Sequence, residues 1–247
     1  MNKSFHSISM IAVVMLVLGG CDSGSGVNQT SPTTTAQPVQ AEEAVDESRY
    51  IRAAELLDLM RSDSPHRIFD VRSRASYAES HIEGALSMPY GQVEASDVAA
   101  IDGVTPTSSL VTYCGCPHHL AGLAADKLTQ WGYSNVRVLY EGYWYWHDNN
   151  MPLARHGTAQ TTQLYFAGKI LRDGEPVAGQ QVFIRNRRND QLEAAVSDDQ
   201  GRFDTAFHIF DFDPGDTFDF SVSDVSAPII HSANARFDET NAVELRL

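Results

Sequence analysis

The stretch Tyr113 to His119 reads YCGCPHH and sets two thiols one residue apart, ahead of a proline and two imidazoles. Three chemistries use such groups. Thiolates and imidazoles bind Cu(I) or Zn(II). Neighbouring thiols exchange with a disulfide, and Gly115 gives the short Cys-Gly-Cys ring the backbone freedom it needs to close. A single thiolate is a nucleophile wherever its surroundings favour the anion. Cys-x-Cys with adjoining histidines falls outside the usual spacing of structural zinc sites, which sets the first reading behind the other two.

The flanking elements bear on the choice. Leu110 to Tyr113 is a short apolar run with strand character, and Leu120 to Trp131 is apolar at positions 120, 123, 124, 128 and 131, the face of a helix. Cys114 therefore stands in a loop leading from a strand to a helix, with Pro117 near the first helical turn, where a missing N–H is no loss. A cysteine at a helix N-terminus faces converging N–H groups and the positive end of the dipole, which lowers its pKa. That placement suits a nucleophile.

Helical spacing over Ala53 to Met60 and strand-like runs at Arg67 to Val71, Ala85 to Met88 and Val136 to Tyr140 complete an alternation of strands and helices, the pattern of a parallel sheet covered on both faces. Ligands of such sheets sit beyond the carboxyl ends of the strands, where Cys114 lies. After Pro152 the pattern becomes all-β. Seven alternating runs between Gln163 and Leu247 are separated by turn clusters such as those at Arg172 to Pro176, Asp198 to Gly201 and Asp213 to Asp216. Seven short strands with that spacing read as an antiparallel β-sandwich.

Asp70-Val71-Arg72, Tyr77, His81 to Ala85, Met88-Pro89, Val111 to Cys114, Gly132 to Val136, Glu141-Gly142, Trp146 and Pro152 together, in this order, resemble the rhodanese family. The resemblance implies an α/β fold over 49–156 and a sulfurtransferase that carries sulfane sulfur as a persulfide on Cys114, taken from a donor such as thiosulfate and passed to a thiol acceptor. It also implies that Gly115, Cys116, Pro117, His118 and His119 form the substrate-binding loop. Asp70 and Arg72 are supporting residues that read as braces of the sheet edge, and His81 as an anchor of its own turn. Many members carry arginine where this chain has His119, and no arginine occurs between Arg74 and Arg137. Fixed cationic recognition of thiosulfate by the loop is thus missing, and a phosphatase reading is disfavoured on the same ground. Two alternatives stand beside catalysis: a non-catalytic rhodanese module that binds a partner, and a thiol-disulfide redox protein using Cys114 and Cys116.

Ala167 to Phe203, with Pro176 to Gly179 and Ser197 to Phe203, resembles the carboxypeptidase regulatory-like, transthyretin-type sandwich. Such modules bind or space, so a protein partner is expected for 161–247. Its own turn grammar suggests that it folds alone. Acidic turns in this part lack the spacing of a calcium loop.

At the other end, Lys3, the apolar run Ile8 to Leu18 and Leu18-Gly-Gly-Cys21 resemble a bacterial lipoprotein signal over 1–21, with Cys21 lipidated. The apolar run is too short to span a bilayer. The resemblance implies a lipid-anchored protein of the cell envelope, on the periplasmic face, with Asp22 favouring the inner membrane. Residues 22–48, rich in Ser, Thr, Gly, Pro and Gln, read as a disordered tether with a span of roughly 30 Å. The net charge of -14, with no Lys/Arg cluster, gives nucleic acid no electrostatic footing. No cofactor or metal is expected. Cys21→Ser is predicted to move the protein out of the membrane fraction while its folded part keeps its activity. Continued fractionation with membranes, with the leader cleaved by N-terminal mass, would overturn the lipid anchor.

Overall fold

The computed structural model describes residues 47–115, 119–158, 160–236 and 239–247. The expectations for the leader, for Cys21, for 22–46 of the tether and for Cys116, Pro117 and His118 lie outside the described residues.

The first half is built on β1 (Tyr50–Ile51), β2 (His66–Asp70), β3 (Ser80–Ile82), β4 (Leu86–Ser87), β5 (Ser109–Tyr113), β6 (Val136–Leu139) and β7 (Leu153–Arg155). Its helices are α1 (Ala53–Arg61), α2 (Arg74–Glu79), α3 (Ala95–Ala99), α4 (His119–Gln130) and α5 (Gly142–Asp148). Five strands form one sheet in the order β1-β6-β5-β2-β4, with every pairing parallel. The expected parallel α/β sheet is present, with β5 at its centre. β1 escapes sequence reading because two residues carry no period. β3 and β7 pair antiparallel outside the sheet.

Local chemistry sets the helix ends. Glu55 accepts the Arg52 N–H at 2.8 Å, and Glu141 accepts the Ala53 N–H at 2.9 Å, so two donors at the start of α1 are satisfied by side chains. Ser73 caps α2 by accepting from the Ser76 N–H. The aromatic run at 143–146 folds as α5, where Tyr143 and Trp146, three residues apart, are buried and Tyr145 is exposed.

The second half contains β8 (Thr161–Arg172), β9 (Glu175–Pro176), β10 (Gln181–Asn186), β11 (Leu192–Val196), β12 (Arg202–Phe210), β13 (Thr217–Val222), β14 (His231–Asn234) and β15 (Thr240–Arg246). One sheet runs β11-β10-β13-β14 and the other β12-β8-β15, with β9 folded onto β8. Seven strands of four or more residues are present among the described residues. The expectation of a wholly antiparallel arrangement needs one correction, because β15 runs parallel to β8 from Thr240 opposite Tyr165 to Arg246 opposite Leu171. Phe166, Phe207, Phe218 and Phe220 from both sheets meet in one apolar core.

A second core crosses between the halves. Leu120, Ala121 and Ala124 of α4 pack in the same buried cluster as Phe183 of β10 and Leu192 and Ala194 of β11. Tyr90 stacks on Phe183 with ring centroids 5.9 Å apart, and Trp144 of α5 lies 5.4 Å from Phe210. Residues 45–247 accordingly form one compact unit, and a cut near Thr161 would expose apolar faces on both fragments. Phe183→Ala is predicted to cost about 3–5 kcal/mol in urea unfolding, with helical and strand signals lost in a single transition. Two separate transitions in the parent would refute a shared core.

Candidate functional site

Residues around Asp70 fix the end of the central strand. The Tyr113 hydroxyl donates to Asp70 Oδ2 at 2.7 Å and accepts the Ile82 N–H at 3.1 Å. Arg72 Nη2 donates to Asp70 Oδ2 at 2.6 Å and to the Ser80 carbonyl at 2.6 Å, while its Nε reaches Asp70 Oδ1 at 3.0 Å. The guanidinium also lies 3.7 Å over the Tyr143 ring. Both charged residues are buried. Burial works against the Arg72 charge, but the Asp70 carboxylate and its hydrogen bonds outweigh it and hold the pKa above its ordinary value. His81 Nδ1 bonds the Tyr77 carbonyl at 2.8 Å, an anchor of its turn.

Held this way, β5 ends at Tyr113 and presents Cys114. The Tyr143 N–H donates to the Cys114 carbonyl at 2.8 Å, so α5 pins the loop from one side. On the other side, Thr112 Oγ1 donates to the Ala121 carbonyl at 3.0 Å and ties β5 to α4. Backbone N–H groups of Ala121 and Leu120, at the start of α4, bond the cysteine itself. Two backbone N–H groups at the helix start thus converge on the cysteine.

The net state of the thiol is nevertheless the reverse of the expected one. Cys114 is only 1% exposed. Burial first, and the carboxylate of Glu193 second, push its pKa well up, and the two N–H groups offset only part of this. Glu193 comes from β11 and is itself 4% exposed. A methyl group on Gly115 would stand 3.7 Å from Glu193 Oε2 and 3.1 Å from Trp144 Nε1, which shows how closely the second half approaches the loop. His119, at the position where many rhodaneses carry arginine, is turned against β11, with the Ala194 carbonyl as partner. Burial lowers its pKa, so it is a neutral imidazole rather than a cation.

Beside Gly115 a cavity of about 10 Å³ is lined by Arg72, Ser76, Trp144, Glu193, His208 and Phe210 among others. Arg72 Nη1 and His208 Nδ1 have no hydrogen-bond partner among the described residues. The residues contributed by β11 and β12 were not legible in the sequence. A lone glutamate in a five-residue strand carries no motif, and its approach to Cys114 exists only once α4 and β11 have packed.

Residues 52–149 match the family model of the rhodanese-like domain. Among solved structures, a protein from Bacillus halodurans is 26% identical, with a TM-score of 0.40, over 44% of this chain and 78% of its own. A thiosulfate sulfurtransferase from Pseudomonas aeruginosa is 23% identical, with a TM-score of 0.39, over 43% of this chain and 20% of its own. A human single-domain sulfurtransferase is 26% identical, with a TM-score of 0.35, over 40% of this chain and 96% of its own. No curated protein matches the chain.

The raised thiol and phenol pKa values make stability depend on pH in a definite direction. Burial raises both Cys114 and Tyr113, so the folded chain keeps these protons when the unfolded chain has begun to lose them. Stability is then complete below the unfolded thiol pKa of about 8.5 and declines as pH rises above it, more steeply past about 10 where an exposed tyrosine ionises. Urea midpoints measured from pH 7 to 10.5 are predicted to fall, and Cys114→Ala to remove the earlier part of the fall. A flat profile in the parent would show that neither group is held neutral.

Proposed function

We propose that the chain is a sulfurtransferase of the cell envelope, tethered through Cys21, which carries sulfane sulfur on Cys114. The observation that supports this most is the position of Cys114, at the carboxyl end of the central parallel strand and bonded by the Leu120 and Ala121 N–H groups of α4. In the transfer, the Cys114 thiolate attacks the outer sulfur of a donor, an S–S bond forms, and the remainder of the donor leaves with the electron pair of the broken bond. A thiol acceptor then attacks that outer sulfur and releases the Cys114 thiolate. The N–H groups at the start of α4 stabilise the anion present on sulfur in both steps. Asp70 and Arg72 position the loop through Tyr113 and Tyr143. The C-terminal β region, read as a carboxypeptidase regulatory-like sandwich, offers a surface to a protein partner.

A second reading, a non-catalytic rhodanese module, is favoured by one observation: Cys114 is buried next to Glu193, which holds the thiol neutral. Loading distinguishes the two. After treatment with a sulfane donor, intact mass and fragment ions of the parent are expected to place one added sulfur on Cys114, and Cys114→Ser to take up none. A parent that gains no sulfur from either thiosulfate or an organic persulfide would leave the binding module as the function.

A further inference from the structure

Two parts of the chain meet at the Cys114 loop, and what the second part brings there is acidic. Glu193 stands on β11 between Leu192 and Ala194, both of which are packed in the core shared with Cys114, Leu120 and Ala121. Its Oε1 accepts the Ala194 N–H at 2.9 Å, which holds the carboxyl group to its own strand, and its Oε2 faces Gly115. The cavity beside Gly115 has room for about one water-sized particle. The Arg72 charge on its wall is matched by Asp70 at 2.6 Å, and burial keeps His208 on the neutral side. No other cationic side chain lines this cavity among the described residues. A site for a doubly charged oxyanion needs fixed cations or a bidentate guanidinium. Here a carboxylate stands on the cavity wall instead.

Building on the sulfurtransferase reading, we propose that Glu193 is the specificity-determining residue of the Cys114 site, excluding dianionic donors such as thiosulfate and leaving slim donors of low charge, alkyl persulfides, as its substrate class. With such a donor the Cys114 thiolate attacks the terminal sulfur of R–S–SH. The new bond makes Cys114–S–SH, and the old S–S pair departs on R–S⁻. Thiosulfate would give the Cys114 persulfide and sulfite by the same displacement, but only after bringing two negative charges up to the Glu193 carboxylate. Like charges so placed cost several-fold to many-fold in association. The raised thiol pKa agrees with this, since the Glu193 carboxylate is the largest charge contribution to it.

The test compares charge with reactivity at Cys114 in the full-length chain, with every product located to Cys114 by fragment mass. Loading rates are measured with thiosulfate and with 2-hydroxyethyl persulfide in the parent, Glu193→Gln and Glu193→Asp. Glu193→Gln is expected to raise the thiosulfate rate about tenfold relative to the persulfide rate, and Glu193→Asp to leave that ratio near the parental value. A second readout needs neither sulfur transfer nor a variant. The ratio of alkylation rates by anionic iodoacetate and neutral iodoacetamide should be about tenfold lower at Cys114 in the folded parent than in the same chain in urea. An equal ratio folded and unfolded overturns the role of Glu193, as does a Glu193→Gln chain, folded by circular dichroism, in which both donors accelerate alike. A parent that discriminates between the alkylating agents but takes sulfur from neither donor refutes the sulfurtransferase reading and leaves the charge gate standing.

Discussion

Apolar burial between α4 and β11 governs the rest of this structure. Small residues on the helix, Ala121 and Ala124, let the strand approach closely, and Leu192, Ala194 and Phe183 fill the seam. Once that seam is dry, Cys114 is removed from water although it sits at the mouth of a helix that would favour its anion. The magnitudes decide the sign. A hydrogen bond to an ionised group contributes about 1.5–3 kcal/mol. Removing an ion from water costs several kcal/mol, and a neighbouring carboxylate adds to that cost. Two N–H groups therefore do not keep the thiolate, and the neutral thiol is the ground state.

The same seam joins two architectures into one unit. The parallel sheet presents Cys114 at the end of β5, and the two C-terminal sheets bring Glu193, His208 and Phe210 to the same place. Trp144 mediates on the α/β side, with its ring 4.8 Å from that of His208 and its Nε1 against Gly115. The surroundings of the cysteine are thus composed from both halves of the chain. A reading confined to 52–149 sees the cradle but not the carboxylate beside it.

Within the α/β half, the buried group of Asp70, Arg72 and Tyr113 supplies rigidity. It links β2 to β5, reaches the Ser80 carbonyl at β3 and supports Tyr143 in α5. Removing one member of such a buried pair leaves an uncompensated charge, a cost of about 3–5 kcal/mol. Its function is positional: it sets where β5 ends, and so where the loop begins.

Much of this was legible in residue order. Short apolar runs marked β2, β5 and β6, and helical spacing marked α1 and α4, since each carries its own apolar residues within a short stretch. The pair Asp70 and Arg72 and the strand-loop-helix around Cys114 were readable for the same reason: they are local. Other features were not. β1 is too short to carry a period, β15 runs parallel to β8 through a long-range pairing, and α5 lies in a run of aromatics. By itself the sequence determined that a thiol would stand at a helix N-terminus, because backbone N–H groups converge there whatever lies around them. Whether that thiol is an anion or a buried neutral group depended on a strand far along the chain, because desolvation and charge act through space, and only the tertiary structure brings Glu193 and β11 to Cys114.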